Sequence, residues 1–179
     1  RSLIATVPVS LREVGDTSNS NQVFAINCAI GSHIDEPLKR LMAVNKNSKR
    51  AKQQLAAIKD VIPKDYSFFG APLIMTAMAQ SMGKSDLINY MPSPMNVAIS
   101  NVPGPRTPVY FAGSKVIANF PVSIATHGCA LNITLHSYFD RLDFGLVACK
   151  AAVPDVQIIA DGIVTEFKAL QKAVKAQAV

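Results

Sequence analysis

Three histidines, His33, His127 and His136, carry the side chain that most readily acts as a base near neutral pH. His136 opens the string His136-Ser137-Tyr138-Phe139-Asp140, an HxxxD spacing that would suit a base and a supporting carboxylate. Asp140, however, falls where a hairpin turn is expected, and Asp is favoured in turns for hydrogen bonds to its own backbone. His33 and His127 read as loop residues without a partner in sight. A second group of side chains can donate hydrogen bonds but cannot act as a base. The string SNVPGP holds the Ser100 hydroxyl and the Asn101 amide, in a loop where Pro103 and Pro105 fix two φ angles and Gly104 lets another backbone approach closely. A rigid structural turn is the plainer reading of that loop. Asn132 shares a strand face with Thr134 and His136; polar residues at i, i+2 and i+4 more often mark a solvated or interfacial sheet face than a site. Cys28, Cys129 and Cys149 have no CxxC spacing, and no Gly-rich phosphate loop, GxSxG elbow or metal-ligand cluster is present.

The elements that must position these residues mix strands and helices. Leu3–Leu11 places Leu3, Ala5, Val7, Val9 and Leu11 on one face and Ile4 and Pro8 on the other, which predicts an inner strand covered on both sides. A polar loop, Glu13–Asn21, leads to a second strand, Gln22–Ile30. A helix is expected from about Asp35, with Pro37 in its first turn and Leu38, Leu41, Met42, Leu55 and Ile58 on one stripe. A second helical region, Asp65–Gly83, carries Phe68, Phe69, Leu73, Ile74, Met75, Met78 and Met82; it reads as a core helix, although a Met-rich face also adapts to a flexible alkyl chain. Met95–Ser100 alternates as a strand and stops at the SNVPGP loop. Pro108–Phe120 predicts two short strands turning at Gly113-Ser114. Leu131, Ile133 and Leu135 oppose Asn132, Thr134 and His136 in a strand that turns at Phe139-Asp140-Arg141 and returns through Leu142, Phe144 and Leu146. Finally, Val156, Ile159, Ile163, Phe167, Leu170 and Val174 predict an amphipathic helix packed on the sheet.

SNVPGP, followed by ALNIT (130–134) and DFGL (143–146), resembles the C-terminal lobe of the bifunctional wax ester synthase/acyl-CoA:diacylglycerol acyltransferases. These form a branch of the CoA-dependent acyltransferase superfamily that also holds chloramphenicol acetyltransferase and the peptide-synthetase condensation domains. ATVPVSLR (5–12) and DEPLKRL (35–41) resemble a family strand and a family helix opening, so the likeness runs over nearly the whole chain. NVPGP is its specific piece, while ALNIT and DFG are weak singly. The resemblance implies an α/β fold: a two-layer mixed sheet with helices on one side, forming over residues 1–179 the C-terminal lobe of a chloramphenicol-acetyltransferase-like, two-lobe enzyme. It also implies transfer of a fatty acyl group from acyl-CoA to a long-chain alcohol or to diacylglycerol, with a histidine of an HHxxxDG motif as general base. That motif is absent, so the chain is expected to begin partway through a longer polypeptide whose N-terminal lobe supplies the base. HxxxD at His136 is not its equivalent, because the family aspartate precedes glycine and here Arg141 follows. On this likeness Ser100, Asn101 and Asn132 are substrate-orienting candidates, and Leu73, Met75, Met78 and Met82 are acyl-tunnel candidates. DFGL is structural and remote from chemistry. No metal and no covalently bound cofactor is expected.

Composition sets the outer limits. A chain of 179 residues, 49% apolar and 17% charged, is long enough for one lobe with a real core and too apolar for a disordered tail. No apolar stretch reaches the eighteen or so residues of a membrane span. The odd, unclustered cysteines favour free thiols and a cytoplasmic setting. Much of the +6 net charge lies in Lys39, Arg40, Lys46, Lys49, Arg50, Lys52 and Lys59. Such a run is most often a solvated helix face, and otherwise an attractor for anionic lipid or the phosphates of CoA. Nucleic acid is a poor partner, with no Trp and no aromatics interleaved with the basic run. The partners that the resemblance implies are the N-terminal lobe, acyl-CoA, the acceptor alcohol and a membrane or lipid-droplet surface touched from the cytoplasm. Two other readings stay open: a non-catalytic lipid- or partner-binding module of the same fold, and a carrier-dependent condensation reaction.

Overall fold

The computed structural model describes residues 1–12, 23–58, 95–126 and 128–177. The expected helix Asp65–Gly83, with Leu73, Met75, Met78 and Met82, lies outside these residues, as do Glu13–Asn21 and His127.

Among the described residues seven strands and two helices are formed: β1 (Ile4–Ser10), β2 (Val23–Ala29), α1 (Pro37–Ile58), β3 (Val97–Val102), β4 (Tyr110–Phe111), β5 (Ser114–Lys115), β6 (Leu131–Tyr138), β7 (Arg141–Ala148) and α2 (Val156–Gln177). Five of the strands make one mixed sheet in the order β2-β1-β3-β6-β7. β1 runs antiparallel to β2, parallel to β3, and β3 runs parallel to β6, which turns back antiparallel into β7. Asn96 fixes the β1–β3 junction, its Oδ1 accepting from the Ile4 N–H at 2.8 Å while its own N–H donates to the Ile4 carbonyl at 2.8 Å.

Because side chains alternate across a strand, the register assigns every residue to a face. One face carries Ile26, Cys28, Ala5, Val97, Ile99, Ile133 and Leu135, and α1 adds Leu38 and Leu55 to the buried core there. α1 packs against β2, α2 against β7, and the two helices against each other, so both described helices lie on one side of the sheet, as expected. α1 starts where the sequence places it: Pro37 takes the first helical position, and the Glu36 carboxylate accepts from the Leu38 and Lys39 N–H groups at 2.9 and 3.0 Å. Asn47 Nδ2 ties the helix to the Ala29 carbonyl at 3.0 Å.

Four expectations are corrected. In the α1 stripe only Leu38 and Leu55 are buried, whereas Leu41, Met42 and Ile58 are exposed, because the helix meets the sheet chiefly at the edge strand β2. No residue of α2 is fully buried; its Ile163 and Phe167 line an open groove rather than close on the sheet. β1 is interior by strand order, but its second face is only partly covered and Pro8 is exposed. The hairpin between β4 and β5 turns at Ala112-Gly113, with φ of 47° and 81°, one residue earlier than expected. These two positive φ values are the ones a two-residue type I′ turn requires. β5 then ends at Lys115, the Val116 N–H still donates to the Val109 carbonyl at 3.0 Å, and residues 116–125 continue as a ribbon that joins neither sheet among the described residues.

Candidate functional site

The SNVPGP loop leaves β3 and docks on the β6–β7 hairpin. The Gly104 N–H donates to Ser137 Oγ at 3.0 Å, and the Pro105 carbonyl accepts from the Phe139 N–H at 2.8 Å. A side chain at position 104 would overlap the Ser137 carbonyl and come within 2.7 Å of His136 Nε2, so glycine is needed there for close approach rather than for unusual φ. Phe139 itself is held at φ 50° in the two-residue turn, a conformation uncommon for a bulky residue and tied down here by the hydrogen bond to Pro105.

Parallel pairing of β3 with β6 sets Ser100 opposite Thr134, Asn101 opposite Leu135 and Ala98 opposite Asn132. Two of the three orienting candidates, Ser100 and Asn132, therefore share the sheet face turned away from the helices. Asn101 points to the other face and is exposed. Asn132 is committed on both atoms of its amide: Nδ2 donates to the Ile124 carbonyl at 3.2 Å and Oδ1 accepts from Thr134 Oγ1 at 3.0 Å. Its geometry thus holds a neighbouring segment. Toward β2 the same face continues through Thr6, whose hydroxyl donates to Asn27 Oδ1 at 2.6 Å.

Around β6 and β7 this polar face is largely covered rather than solvated. The ribbon 116–125 lies across it. Tyr138 Oη donates to the Val116 carbonyl at 2.7 Å and accepts from the Val109 N–H at 3.1 Å. Arg141 Nη1 donates to the Ile117 carbonyl at 2.9 Å, and Asp143 Oδ2 accepts from the Asn119 N–H at 2.7 Å. At Gly145 an added Cβ would overlap the Pro121 carbonyl. Thr134, Tyr138 and Asp143 are consequently buried, Asp143 with 1% of its surface exposed. A buried carboxylate is tolerated only when paired and hydrogen-bonded, and Asp143 meets both conditions through Asn119 and through Arg141 Nε at 2.8 Å.

None of the described histidines is arranged as a general base. His136 packs beneath Gly104, its Nδ1 buried without a hydrogen-bond partner among the described residues. Asp140 sits exposed at the turn, and no hydrogen bond joins it to His136. His33 is exposed in the loop before α1. Among the described residues no group of three or more His, Cys, Asp or Glu is placed to hold a metal, and no helix is long and apolar enough to cross a membrane. Cys28 and Cys129 are buried thiols and Cys149 is exposed, and burial pushes the Cys28 thiol up from its ordinary pKa.

Among the described residues the helix side carries several concave surfaces, two of which are roomier than the cleft between α1 and α2. One, of about 800 Å³, is lined by Leu142, Phe144 and Leu146 from β7 and by Ala160, Ile163, Val164 and Phe167 from α2, with Ser137, Asp140 and Arg141 at one end. The other is a shallow groove on α1 where Lys46, Lys49 and Arg50 flank Leu41 and Met42.

Residues 19–171 match the profile of the WS/DGAT C-terminal domain. The chain belongs to this family. A Mycobacterium tuberculosis H37Rv protein named provisionally as a diacylglycerol O-acyltransferase is 39% identical over 172 residues, covering 96% of this chain and 37% of that protein. The O-acyltransferase WSD of Acinetobacter baylyi is 34% identical over 176 residues, 98% of this chain and 37% of that protein. Among solved structures, the wax ester synthase/diacylglycerol acyltransferase from Marinobacter aquaeolei VT8 superposes with a TM-score of 0.66 at 28% identity, covering 97% of this chain and 37% of that chain. The chain thus spans little more than a third of the length of the relatives it matches. Within the WS/DGAT domain, the residues that sequence reasoning passed over are Tyr138, Arg141 and Gly145, which with Asp143 carry the ribbon. Only the DFG string hinted at them.

Proposed function

We infer that this domain is the C-terminal lobe of a two-lobe O-acyltransferase that moves a fatty acyl group from acyl-CoA to a long-chain alcohol or to diacylglycerol. The observation that carries the reading is the match of nearly the whole chain to the C-terminal third of enzymes named for that transfer. Absence of an HHxxxDG string from these residues is consistent with it, since the general base then belongs to the N-terminal lobe.

In this reaction the base takes the proton of the acceptor hydroxyl as its oxygen attacks the thioester carbonyl. A tetrahedral oxyanion forms, the carbon–sulfur bond breaks, and the CoA thiolate leaves with the proton returned by the base. The domain's own contribution is to binding and orientation. Ser100 stands as the donor candidate on the face away from the helices, with Asn132 holding the ribbon beside it and Asn101 at the end of the same strand. Leu73, Met75, Met78 and Met82 remain proposed as tunnel residues for the acyl chain, on the adaptability of Met to a flexible alkyl group. The basic groove of α1 would meet anionic headgroups at a membrane or droplet surface on the cytoplasmic side, or the phosphates of CoA.

A second reading, a lipid-binding module without catalysis, is favoured by the apolar groove between β7 and α2, whose volume suits an alkyl chain. Incubating radiolabelled oleoyl-CoA with hexadecanol or dioleoylglycerol decides between them. Transfer by a polypeptide joining this domain to its N-terminal lobe supports the enzyme. Tight binding of the alcohol with no turnover by that polypeptide supports the module.

A further inference from the structure

β7 closes one side of the sheet, and among the described residues its one strand neighbour is β6. A strand in that place carries a row of backbone N–H and C=O groups outside any ladder, an edge that proteins ordinarily blunt with charge, proline or a bulge. Arg141–Ala148 contains no proline, and its unbroken register with β6 leaves no bulge. Its two charged side chains, Arg141 and Asp143, are tied to each other and to the ribbon on one face of the sheet. The other face is apolar. Leu142, Phe144 and Leu146 form the floor of the groove of about 800 Å³, and Ile163, Val164 and Phe167 of α2 form its wall. Leu142, Val164 and Phe167 are each more than half exposed, and α2 buries none of its residues.

The charges of α2 are ordered along its length. Its acidic residues, Asp161 and Glu166, precede its basic ones, Lys168, Lys172 and Lys175. Glu166 reaches Arg40 of α1, whereas the Asp161 carboxylate accepts from Gln157 Nε2 of its own helix at 2.9 Å. Gln157, Asp161, Val164, Lys168, Gln171 and Lys175 recur at intervals of three and four, which makes one stripe, and all are exposed. We propose that the β7 edge and this stripe of α2 dock a second copy of the chain. The two β7 strands pair antiparallel about a two-fold axis normal to the sheet, and the two α2 helices lie antiparallel on the same side, closing the groove. Val164 meets its equivalent near the axis, and Asp161 of each copy faces the partner's Lys168. The occupant follows from the charge order: the two-fold reverses α2 against itself, so that acid meets base twice, whereas an unrelated strand would match the edge alone. A lipid surface would supply neither donors and acceptors for the edge of β7 nor a cation for Asp161.

The test uses the polypeptide that joins this domain to its N-terminal lobe, and it needs no acyl transfer. Sedimentation velocity at micromolar concentration should give twice the chain mass. Asp161→Lys and Lys168→Asp each set like charges across the two-fold and should each weaken self-association by about tenfold or more. Mixed together, the two variants should form a heterodimer, because every contact across the axis again joins Lys to Asp; that recovery also shows both variants to be folded. Hydrogen exchange supplies a second readout. Amides of Arg141–Ala148 should exchange about tenfold faster in Asp161→Lys than in the parent, while those of β2 at the opposite edge keep their rates. A monomeric parent, single variants that associate as the parent does, a mixture that stays monomeric, or a dimer whose β7 amides exchange at the monomer's rate would each overturn the proposal.

Discussion

The buried carboxylate of Asp143 accepts the backbone N–H of Asn119 at 2.7 Å, a contact between a β7 side chain and a segment 24 residues earlier. Together with Arg141, which pairs with the same carboxylate and reaches the Ile117 carbonyl, it decides how the ribbon lies on the sheet. Asp143→Ala removes both partners' acceptor from a site without solvent. Such changes cost about 2–4 kcal/mol. Urea unfolding should therefore place the Ala variant well below the parent, with Asp143→Asn between them because it retains an acceptor for Asn119. A change under 0.5 kcal/mol, roughly the scatter for surface substitutions, would contradict the staple.

The glycines separate by sign. Gly104→Ala and Gly145→Ala each drive a methyl group into a carbonyl, of Ser137 and Pro121 respectively, and should destabilise by about 2 kcal/mol or more. At Gly113 there is open space but φ is +81°, so Ala should cost about 1 kcal/mol through strain alone. Gly162 lies within α2 with nothing near it, and Gly162→Ala should stabilise by up to about 1 kcal/mol. Melting the four variants side by side checks the order.

Much of this architecture is legible from residue spacing. The β6–β7 hairpin follows from the alternation of Leu131, Ile133 and Leu135 with Asn132, Thr134 and His136, and the start of α1 follows from Glu36-Pro37. The cover over the polar face was not legible, because its bonds join side chains to distant backbone groups, and those leave no periodic trace. The alternation at Phe120, Val122 and Ile124 could be read only as more strand. For the same reason Asn132 could be placed on a face but not assigned to the Ile124 carbonyl that it holds. Nothing local distinguishes Ser100 from Asn101 either; the one-residue step that puts them on opposite faces is set by the pairing of β3 with β6.

At the start of α1 the Glu36 carboxylate serves two N–H groups, whereas the Arg40–Glu166 pair at 3.2 Å joins a half-buried guanidinium to an exposed carboxylate. Glu36→Ala should cost about 1 kcal/mol, and Glu166→Ala less than about 0.5 kcal/mol. A guanidinium titration of both variants gives the comparison; the reverse order would mean that the helix–helix ion pair, and not the cap, secures α1.

Burial raises the pKa of the Cys28 thiol, so the folded chain keeps a proton that the unfolded chain releases in alkali. The stabilisation is complete below the ordinary thiol pKa and is lost as pH climbs through and above it. Thermal melts from pH 8 to pH 10 should fall more steeply for the parent than for Cys28→Ala. Parallel curves would remove Cys28 from the explanation. At neutral pH a thiol reagent should label the exposed Cys149 first.

The central proposal is that this domain is the C-terminal lobe of a two-lobe acyltransferase and needs its N-terminal lobe for activity. Lobe complementation tests it most directly: the separately produced N-terminal lobe and the 179-residue chain are assayed alone and mixed, with oleoyl-CoA and either hexadecanol or dioleoylglycerol as acceptor. The account predicts no ester from either part alone and ester formation from the mixture. Ester formed by the N-terminal lobe alone at the rate of the mixture, or none from the mixture while the joined polypeptide is also inactive, would contradict it.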